Sequence, residues 1–432
     1  MMRGMTDFGL RYNEGMCLKS GVNPYRVYAC EVEHPRYRSK FATTNLTNPD
    51  GLPKKFVTAY TPWGYTFVLP FTLIPFDCAY VVFSLFTAMF FVLAWMWSKN
   101  LAMKKFGEKK FARKIAWICV SFYALAAYLQ MINQNYAAFN LIAVIGMIWC
   151  LDKENSHGTQ RPRARFFLQI CAGFCWAILM IKPQIGLLAF LPLLFSKKRI
   201  TMISAAVFCL AGTVPPMLLS GDSFFSLITD YFANGADHYK GSLLMPNFYT
   251  DILGLGGMSA KTRILISMSL GGVVCAMLSW RVRHCRDWAV KLTPWLAIAP
   301  AWTYSFCHDA TVWLIPVTVW LLDSIKPDKS ISRSKTTGYV FFICGTWFWA
   351  IHTITDNLAI LTEKLSRLSS SANEWSAYSY KKLEDINTLF DYIKGLGLYP
   401  VLIILFSVWL WKFADKNREK AENDNGTFLS YS

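Results

Sequence analysis

The chain has 432 residues, of which 54% are hydrophobic, 16% aromatic and only 16% charged, and its mean hydropathy is +0.29. A soluble protein of ordinary composition is excluded, because it would carry about 25% charged residues. The apolar residues lie in runs of about 20, the length that crosses the hydrocarbon core of a bilayer. The formal charge of +17 therefore indicates membrane orientation before it indicates nucleic-acid binding.

In chain order, these runs predict an all-α polytopic membrane protein. Residues 1–77 form an outer first loop, 78–411 form a transmembrane bundle and 412–432 form a tail. The runs that span or nearly span a bilayer are 78–97, 115–131, 136–151, 166–181, 184–195, 200–219, 262–280, 292–307, 308–323, 338–361 and 396–411. Counted once each, they predict about 11 spans. Two of them, 136–151 and 184–195, are short for a full span and would be re-entrant or lie inside the bundle.

Basic residues occupy alternate loops between these runs, which predicts the topology. The loops and the tail on this side contain Lys99–Lys114, Lys153–Arg165, Lys197–Arg199, Arg281–Lys291, Lys326–Lys335 and Lys412–Lys420. By the positive-inside rule this side is cytoplasmic, together with the C-terminus, in a multi-pass protein of the plasma (inner) membrane. The opposite side receives residues 1–77, the turn at Lys182–Pro183, and the loops 220–261 and 362–395.

The outer position of residues 1–77 is awkward, because neither a signal peptide nor a membrane helix precedes them in this sequence. We expect that a first membrane helix is encoded upstream and that Met1, Met2 or Met5 is an internal or misassigned start. A longer reading frame with about 20 apolar residues would support this expectation. A stop codon directly upstream would contradict it.

Two outer segments have apolar residues at helical spacing, 222–234 and 375–394. Amphipathic helices of this kind tend to lie in the headgroup plane of a membrane. Packing of a loop helix on the bundle explains the pattern equally well.

The outer side contains the polar residues that suggest chemistry, since no phosphate-binding glycine loop, HExxH pair or GxSxG element occurs. Asp7 comes shortly before the sequence Gly21-Val22-Asn23-Pro24-Tyr25. If a spanning helix precedes it, Asp7 lies just outside the membrane at the end of that helix, where its carboxylate would take a proton from a bound hydroxyl. The alternative is a helix cap or a solvated carboxylate.

Three further polar sites interrupt apolar sequence near the outer ends of spans. Lys182 needs an anionic partner such as a lipid phosphate, unless its side chain extends to the interface. His308 would donate to a phosphate or a sugar hydroxyl, although His308 and Asp309 also suit a turn between two spans. Gln134 and Asn135 would bond sugar hydroxyls or cap helix ends.

Taken in order, these landmarks resemble glycosyltransferase family 87, which belongs to the GT-C glycosyltransferases. The matching elements are Asp7 with Gly21–Tyr25, Tyr60-Thr61-Pro62 leading into a Leu-Pro-rich segment, Asn133–Tyr136, Lys182-Pro183-Gln184, and Ser305 to His308 followed by Pro316. The resemblance runs from about residue 6 to residue 323. The sequence departs from the family pattern in three places. Position 133 is Asn133 where glycine is usual, and only one proline follows Tyr60. The first membrane helix of the family is absent from this sequence.

The resemblance implies a GT-C-like helical bundle and an inverting, metal-independent transfer that needs no cofactor. The donor would be a polyprenyl-phosphate sugar, with mannose the family's best-known case, and the acceptor a hydroxyl of a lipid or glycan on the extracytoplasmic face. Asp7 would act as general base, and Lys182 with His308 would bind the departing phosphate. Contacts to the sugar or the acceptor would come from Asn23, Tyr25, Gln134, Asn135 and Asp309.

A polytopic transporter or lipid-carrier flippase is the alternative from another class, and a cell-surface polysaccharide polymerase is an alternative within the enzymes. A transporter or flippase would also show many spans, intramembrane charges and basic cytoplasmic loops. The polar groups concentrate at the outer face, and no charge lies at the middle of several spans. This distribution favours an enzyme over a transporter.

Overall fold

The structure is a computed structural model that describes residues 7–26, 60–106, 136–156, 162–238, 260–302, 312 and 314–324. Within these ranges the chain is helical and forms no strand, which confirms the predicted all-α class. The predicted spans 115–131, 338–361 and 396–411, the loop 362–395 and the tail lie outside the described residues. The number of spans therefore stays a prediction.

Most of the longer described helices lie in the predicted runs, with shifted ends. They are α1 (Asp7–Lys19), α2 (Tyr65–Val68), α3 (Phe76–Phe106), α4 (Ala137–Ser156), α5 (Pro162–Leu179), α6 (Pro183–Gly186), α7 (Phe190–Phe195), α8 (Arg199–Ser220), α9 (Phe224–His238), α10 (Ala260–Val282), α11 (Trp288–Trp302) and α12 (Leu314–Ser324). Short 3₁₀ turns occur at Pro24–Arg26, Pro62–Gly64, Leu69–Leu73 and Leu187–Ala189. The amphipathic segment 222–234 is helical from residue 224 onward, as predicted, and forms most of α9.

Two of the described helices, at Phe76–Lys104 and Arg199–Ser220, are long and apolar enough to cross a membrane. On α3 the large apolar side chains Val81, Leu85, Met89, Val92 and Met96 are all exposed. Their spacing of three and four residues puts them on one face of the helix. The opposite face is buried against the rest of the bundle.

The helix α8 also exposes an apolar face. Its exposed face contains Ile203, Val207, Leu210, Val214 and Leu218. Water is a poor solvent for two continuous apolar faces of this length, because each buried CH₂ is worth about 0.8 kcal/mol. These faces require an apolar cover, as the surface of a membrane protein does.

The helices α4, α5 and α8 each run between the same two polar ends of the bundle. At one end, α4 begins beside Tyr60, α5 leads into the turn at Lys182, and α8 leads into Asp222. At the other end, Glu154 of α4 contacts Arg165 of α5 and Lys198, which precedes α8. The 18 residues of α5 separate the two ends by about 27 Å, close to the thickness of a hydrocarbon core.

The segment 183–195 is broken into short helical pieces rather than forming a span. Pro183 starts α6, and two buried indoles satisfy backbone carbonyls of this segment. The Nε1 of Trp176 donates to the Gly186 carbonyl at 2.9 Å, and the Nε1 of Trp295 donates to the Ile185 carbonyl at 2.5 Å. A Cβ at Gly186 would lie 2.6 Å from the Leu179 carbonyl oxygen. The close approach that glycine permits therefore lets the chain turn tightly after Lys182.

The end of the bundle opposite to Lys182 contains a charged cluster centred on the buried Glu154. The carboxylate of Glu154 accepts hydrogen bonds from Lys198, from Arg165 at 3.2 Å and from Gln169 at 2.9 Å. Burial raises the pKa of Glu154, but the bonds from Lys198 and then from Arg165 and Gln169 outweigh it, so the pKa lies below its usual value. This cluster joins α4, α5 and the start of α8, on the side that the positive-inside rule predicts to be cytoplasmic.

Asp152 lies beside that cluster, one residue beyond the predicted span 136–151. Its Oδ1 accepts a hydrogen bond from the Trp288 amide at 3.1 Å and so caps the start of α11. Burial, and then the nearby Asp287, raise the pKa of Asp152 from 3.8 to about 6. The folded chain thus holds this proton more tightly than the unfolded chain does.

Replacing Asp152 with asparagine is expected to change the pH dependence of stability. In the wild type, ionisation of Asp152 lowers the stability of the fold as the pH rises from about 4 to about 6, because the unfolded chain releases this proton first. Asparagine keeps an acceptor for the Trp288 amide and does not titrate. The melting temperature of Asp152→Asn, measured in detergent relative to the wild type, should rise across this pH interval. A difference that is independent of pH would contradict the assignment.

Candidate active site

The candidate site is built on α1, which begins at Asp7 and ends in a Schellman motif. The Val22 amide donates to the Cys17 carbonyl and the Gly21 amide to the Leu18 carbonyl, both at 2.9 Å. Gly21 has a φ of +79°, which only glycine adopts without strain. The helical period puts positions 7, 11 and 14 on one face of α1. The predicted base position and the residues Arg11 and Glu14 therefore share that face.

Arg11 and Glu14 form a buried ion pair. The Nη1 of Arg11 is 2.6 Å from both carboxylate oxygens of Glu14, and both side chains are almost fully shielded from solvent. The hydroxyl of Tyr65 donates to Glu14 at 3.1 Å. Burial, and then the Glu14 carboxylate, raise the pKa of Tyr65 well above its usual value. Tyr65 therefore keeps its proton and remains a donor to Glu14.

Tyr60 connects this ion pair to Lys182. The guanidinium carbon of Arg11 lies 4.5 Å from the centroid of the Tyr60 ring, and the Nζ of Lys182 lies 5.7 Å from the same centroid. Lys182 is only 3% exposed although it is charged. We call Arg11, Glu14, Tyr60, Tyr65 and Lys182 the Lys182 cluster. In this cluster two of the sequence landmarks, Tyr60 and Lys182, lie next to Arg11 of α1.

Backbone hydrogen bonds fix Lys182 relative to Tyr60. The Thr61 amide and the Thr61 hydroxyl both donate to the Ile181 carbonyl at 3.3 Å, so the neighbours of Tyr60 and Lys182 are bonded to each other. A Cβ at Gly64 would lie 2.9 Å from Cγ2 of Ile181. Glycine at position 64 is therefore needed for the turn containing Lys182 to approach this closely.

The segment 60–75 is the surface on which α1 packs. The Tyr12 hydroxyl donates to the Ile74 carbonyl at 2.8 Å and the Lys19 ammonium to the Thr72 carbonyl at 3.3 Å. A Cβ at Gly15 would lie 2.7 Å from Cγ2 of Thr72. Phe8 is fully buried and stacks on Phe83 of α3 at 4.4 Å. These contacts place α1 against the bundle at the end that contains Lys182.

Asn23 fastens α9 to this end of the bundle. Its amide nitrogen donates to Asp222 Oδ2 and to Asp230 Oδ2, each at 2.9 Å, and its Oδ1 accepts from the Tyr25 amide at 3.0 Å. Arg26 pairs with the same two carboxylates at 3.2 and 2.8 Å, but its side chain is 54% exposed. We call the bonds of Asn23 and Arg26 to Asp222 and Asp230 the clasp. The buried Asn23 is its stronger part, since exposed ion pairs contribute little.

Replacing Asn23 with aspartate is expected to release α9. The change keeps the side-chain shape but puts a third carboxylate where the amide donated to two, at a cost of about 3 kcal/mol. Backbone amides of α9 should exchange with deuterium at least ten-fold faster in Asn23→Asp than in the wild type. Arg26→Gln, which removes only the exposed member of the clasp, should change this exchange much less. Wild-type exchange in Asn23→Asp would show that the clasp does not hold α9.

Tyr25 contacts two tyrosines of the Lys182 cluster, Tyr60 and Tyr65. Its hydroxyl donates to the Tyr60 carbonyl at 2.6 Å, and its ring contacts Tyr65 and Tyr231 edge to face at 5.8 and 5.9 Å. Tyr25 is buried, and the amide of Asn23 is bonded within the protein. That Asn23 and Tyr25 touch a sugar or an acceptor stays a prediction.

The other predicted site residues fall outside what the structure describes. These are Gln134, Asn135, His308 and Asp309, while of Asp7 only the backbone is described. Tyr136, which directly follows Asn135, packs edge on against Tyr60 with ring centroids 5.3 Å apart. Tyr136 therefore lies beside the Lys182 cluster, at the start of a described range.

Sequence reasoning missed Arg11 and Glu14. Their spacing of three residues on a short polar helix is typical of a solvent-exposed pair. The signal that would have found them is the apolar face of the same helix, with Phe8 and Tyr12, which needs a partner to bury it. That partner, the segment 60–75, is more than 40 residues away in the chain.

Comparison with known proteins places the chain in a family. A sequence model of glycosyltransferase family 87 matches residues 57–305, more than half of the chain. The match includes Tyr60, Gln134, Asn135 and Lys182, and it leaves α1 and His308 outside. No curated protein and no solved structure matched the chain. The chain therefore belongs to glycosyltransferase family 87 and is a glycosyltransferase.

Proposed function

We propose that the protein moves a hexose from a polyprenyl-phosphate donor to a hydroxyl of a lipid or glycan acceptor, with inversion at the transferred carbon. The observation that carries this proposal is the burial of Lys182 in one cluster with α1, whose first residue is Asp7. The proposed base position and the proposed phosphate-binding cation then lie at the same end of the bundle. A buried lysine suits an anionic lipid headgroup as its ligand.

The proposed reaction is a single displacement. The Asp7 carboxylate takes the proton of the acceptor hydroxyl as the new bond forms between that oxygen and the anomeric carbon. The bond between the anomeric carbon and the phosphate oxygen breaks, and the electron pair leaves with the polyprenyl phosphate. Lys182, together with His308, stabilises the negative charge that grows on this phosphate in the transition state.

The proposed site of action is the extracytoplasmic face of the plasma membrane. The two candidate membrane helices and the family are in keeping with a membrane protein, and the exposed apolar faces of α3 and α8 would meet lipid tails. The basic residues Arg165 and Lys198 lie about one bilayer thickness from Lys182. This arrangement supports a multi-pass protein whose basic side and C-terminus are cytoplasmic and whose Lys182 cluster faces outward.

The amphipathic helix α9 would border the path of the lipid substrate. Phe225 and Phe232 are exposed on α9, and Leu73 and Leu218 are exposed near the same end of the bundle. Aromatic and aliphatic side chains at this level would insert between lipid headgroups. A polyprenyl chain could then remain in the bilayer while its phosphate reaches Lys182.

The experiment that tests this function uses the purified protein in detergent, where no membrane gradient exists. Synthetic polyprenyl-phosphate hexoses and the corresponding nucleotide sugars are offered with a set of lipid and glycan hydroxyl acceptors. We expect transfer from the polyprenyl-phosphate donor and none from the nucleotide sugar. Transfer only from the nucleotide sugar would overturn the proposed donor. Products with many repeats would instead indicate a polysaccharide polymerase.

A further inference from the structure

Two cations lie over the ring of one buried tyrosine. The Tyr60 ring centroid is 4.5 Å from the guanidinium carbon of Arg11 and 5.7 Å from Nζ of Lys182. Both distances are within the 6 Å range of a cation–π interaction. Tyr60, Arg11 and Lys182 are all buried, so water screens neither contact.

The two cations differ in the shape and stiffness of their side chains. The Nη1 of Arg11 donates to both carboxylate oxygens of Glu14 at 2.6 Å, and these contacts hold the planar guanidinium in place. Lys182 has a flexible stem of four carbons and an ammonium that acts as a point charge. The direction of that ammonium depends on the groups around it. One of these groups is the face of the Tyr60 ring.

The Tyr60 ring is fixed from several sides. The Tyr60 carbonyl accepts from the Tyr25 hydroxyl at 2.6 Å, and the ring meets Tyr136 edge on at 5.3 Å with an interplanar angle of 89°. The adjacent Thr61 is bonded to Ile181, the residue before Lys182. The backbone beside the Tyr60 ring and the backbone beside Lys182 are therefore bonded to each other.

We propose that Tyr60 is a positioning residue, whose ring face directs the Lys182 ammonium toward the phosphate of the donor. This inference rests on the proposed function of Lys182. The negative face of the aromatic ring attracts the ammonium electrostatically. Tyr60 itself touches neither the phosphate nor the acceptor in this assignment.

The test compares Tyr60→Phe with Tyr60→Leu in the transfer assay. Phenylalanine retains the ring face, so its KM for the donor should stay within about three-fold of the wild type. Leucine removes the face, and the donor KM should rise by roughly ten- to thirty-fold, the equivalent of a desolvated cation–π contact. The KM for the acceptor should change little in either variant. A rise in donor KM that is equal for phenylalanine and leucine would overturn the proposal, and so would a wild-type donor KM in Tyr60→Leu.

The control for lost packing is Phe139→Leu. Phe139 belongs to the same group of rings and lies 5.1 Å from Tyr136 and 5.4 Å from Phe83. Its replacement should lower the melting temperature about as much as Tyr60→Leu does and leave the donor KM unchanged. An equal rise of donor KM in both variants would assign the effect to packing and overturn the positioning role.

A second series keeps the test decisive if Tyr60→Leu fails to fold. Phenylalanine with one, two or three ring fluorines at position 60 changes the electron density of the ring face far more than its shape. The donor KM should rise stepwise with the number of fluorines, whereas a purely structural role would leave it flat. A flat series would overturn the inference while the transferase function stands. Absence of transfer from any polyprenyl-phosphate donor in the wild type would instead reject the proposed function.

Discussion

Replacing Asp7 with asparagine is expected to lower the rate of sugar transfer by about 10²- to 10⁴-fold, which is the contribution of a positioned general base. Asparagine has nearly the same shape, but its amide cannot accept the proton of the acceptor hydroxyl. Because α1 is held by Phe8, Tyr12 and Lys19, the helix should stay in place. The rate is measured with a polyprenyl-phosphate hexose at saturating donor, and the donor KM should remain near the wild-type value.

The matched control is Asp77→Asn. Asp77 is an exposed carboxylate in the first turn of α3, and it undergoes the same chemical change. Its variant should transfer sugar at close to the wild-type rate. Full activity in Asp7→Asn would reject Asp7 as the base, and equal losses in both variants would point to a general effect of charge at this face.

Replacing Glu14 with glutamine is expected to destabilise the fold by about 3–5 kcal/mol, the cost of leaving a buried charge without its partner. The Arg11–Glu14 pair is almost fully shielded from solvent, with contacts of 2.6 Å. Glutamine still accepts a hydrogen bond from Tyr65, so the change isolates the loss of the negative charge. The melting temperature in detergent should fall by several degrees.

A second substitution should recover this loss. In the double variant Arg11→Met/Glu14→Gln the uncompensated charge is gone, and most of the lost stability should return, because the two sites are directly coupled. A double variant that is as unstable as the sum of its single variants would show that the ion pair is not the source of the effect. An unchanged melting temperature in Glu14→Gln would show that the pair contributes nothing to stability.

The parts of the fold that follow from local periodicity could be predicted from the sequence. A window of about 20 residues is enough to predict each of them, since helix period and length are local properties. These parts are the apolar runs of α3 and α8, the amphipathic α9 and the turn at Lys182. The break at 183–195 was visible only as a short run. Its cause lies in Pro183 and in two tryptophan indoles from other helices.

The candidate site was predictable in its landmarks and not in its contacts. Lys182 and Tyr60 were predicted as separate landmarks, but nothing in the sequence shows that Tyr60 lies against Lys182, because residues 122 positions apart meet only through packing. The burial of Arg11 and Glu14 was missed for the same reason. The clasp likewise joins Asn23 to Asp222 and Asp230, about 200 positions away in the chain. The local sequence pattern predicts only that these two residues belong to an amphipathic segment.

The most direct test of the proposed donor site is the dependence of transfer on donor concentration in Lys182→Met. Methionine retains most of the stem and removes the charge that would bind the departing phosphate. A charge-assisted hydrogen bond is worth about 1.5–3 kcal/mol, so kcat/KM for the polyprenyl-phosphate donor should fall by about 10- to 150-fold. The KM for the acceptor should stay near the wild-type value. Unchanged kcat/KM for the donor in a folded Lys182→Met would contradict the assignment of this cluster as the donor site.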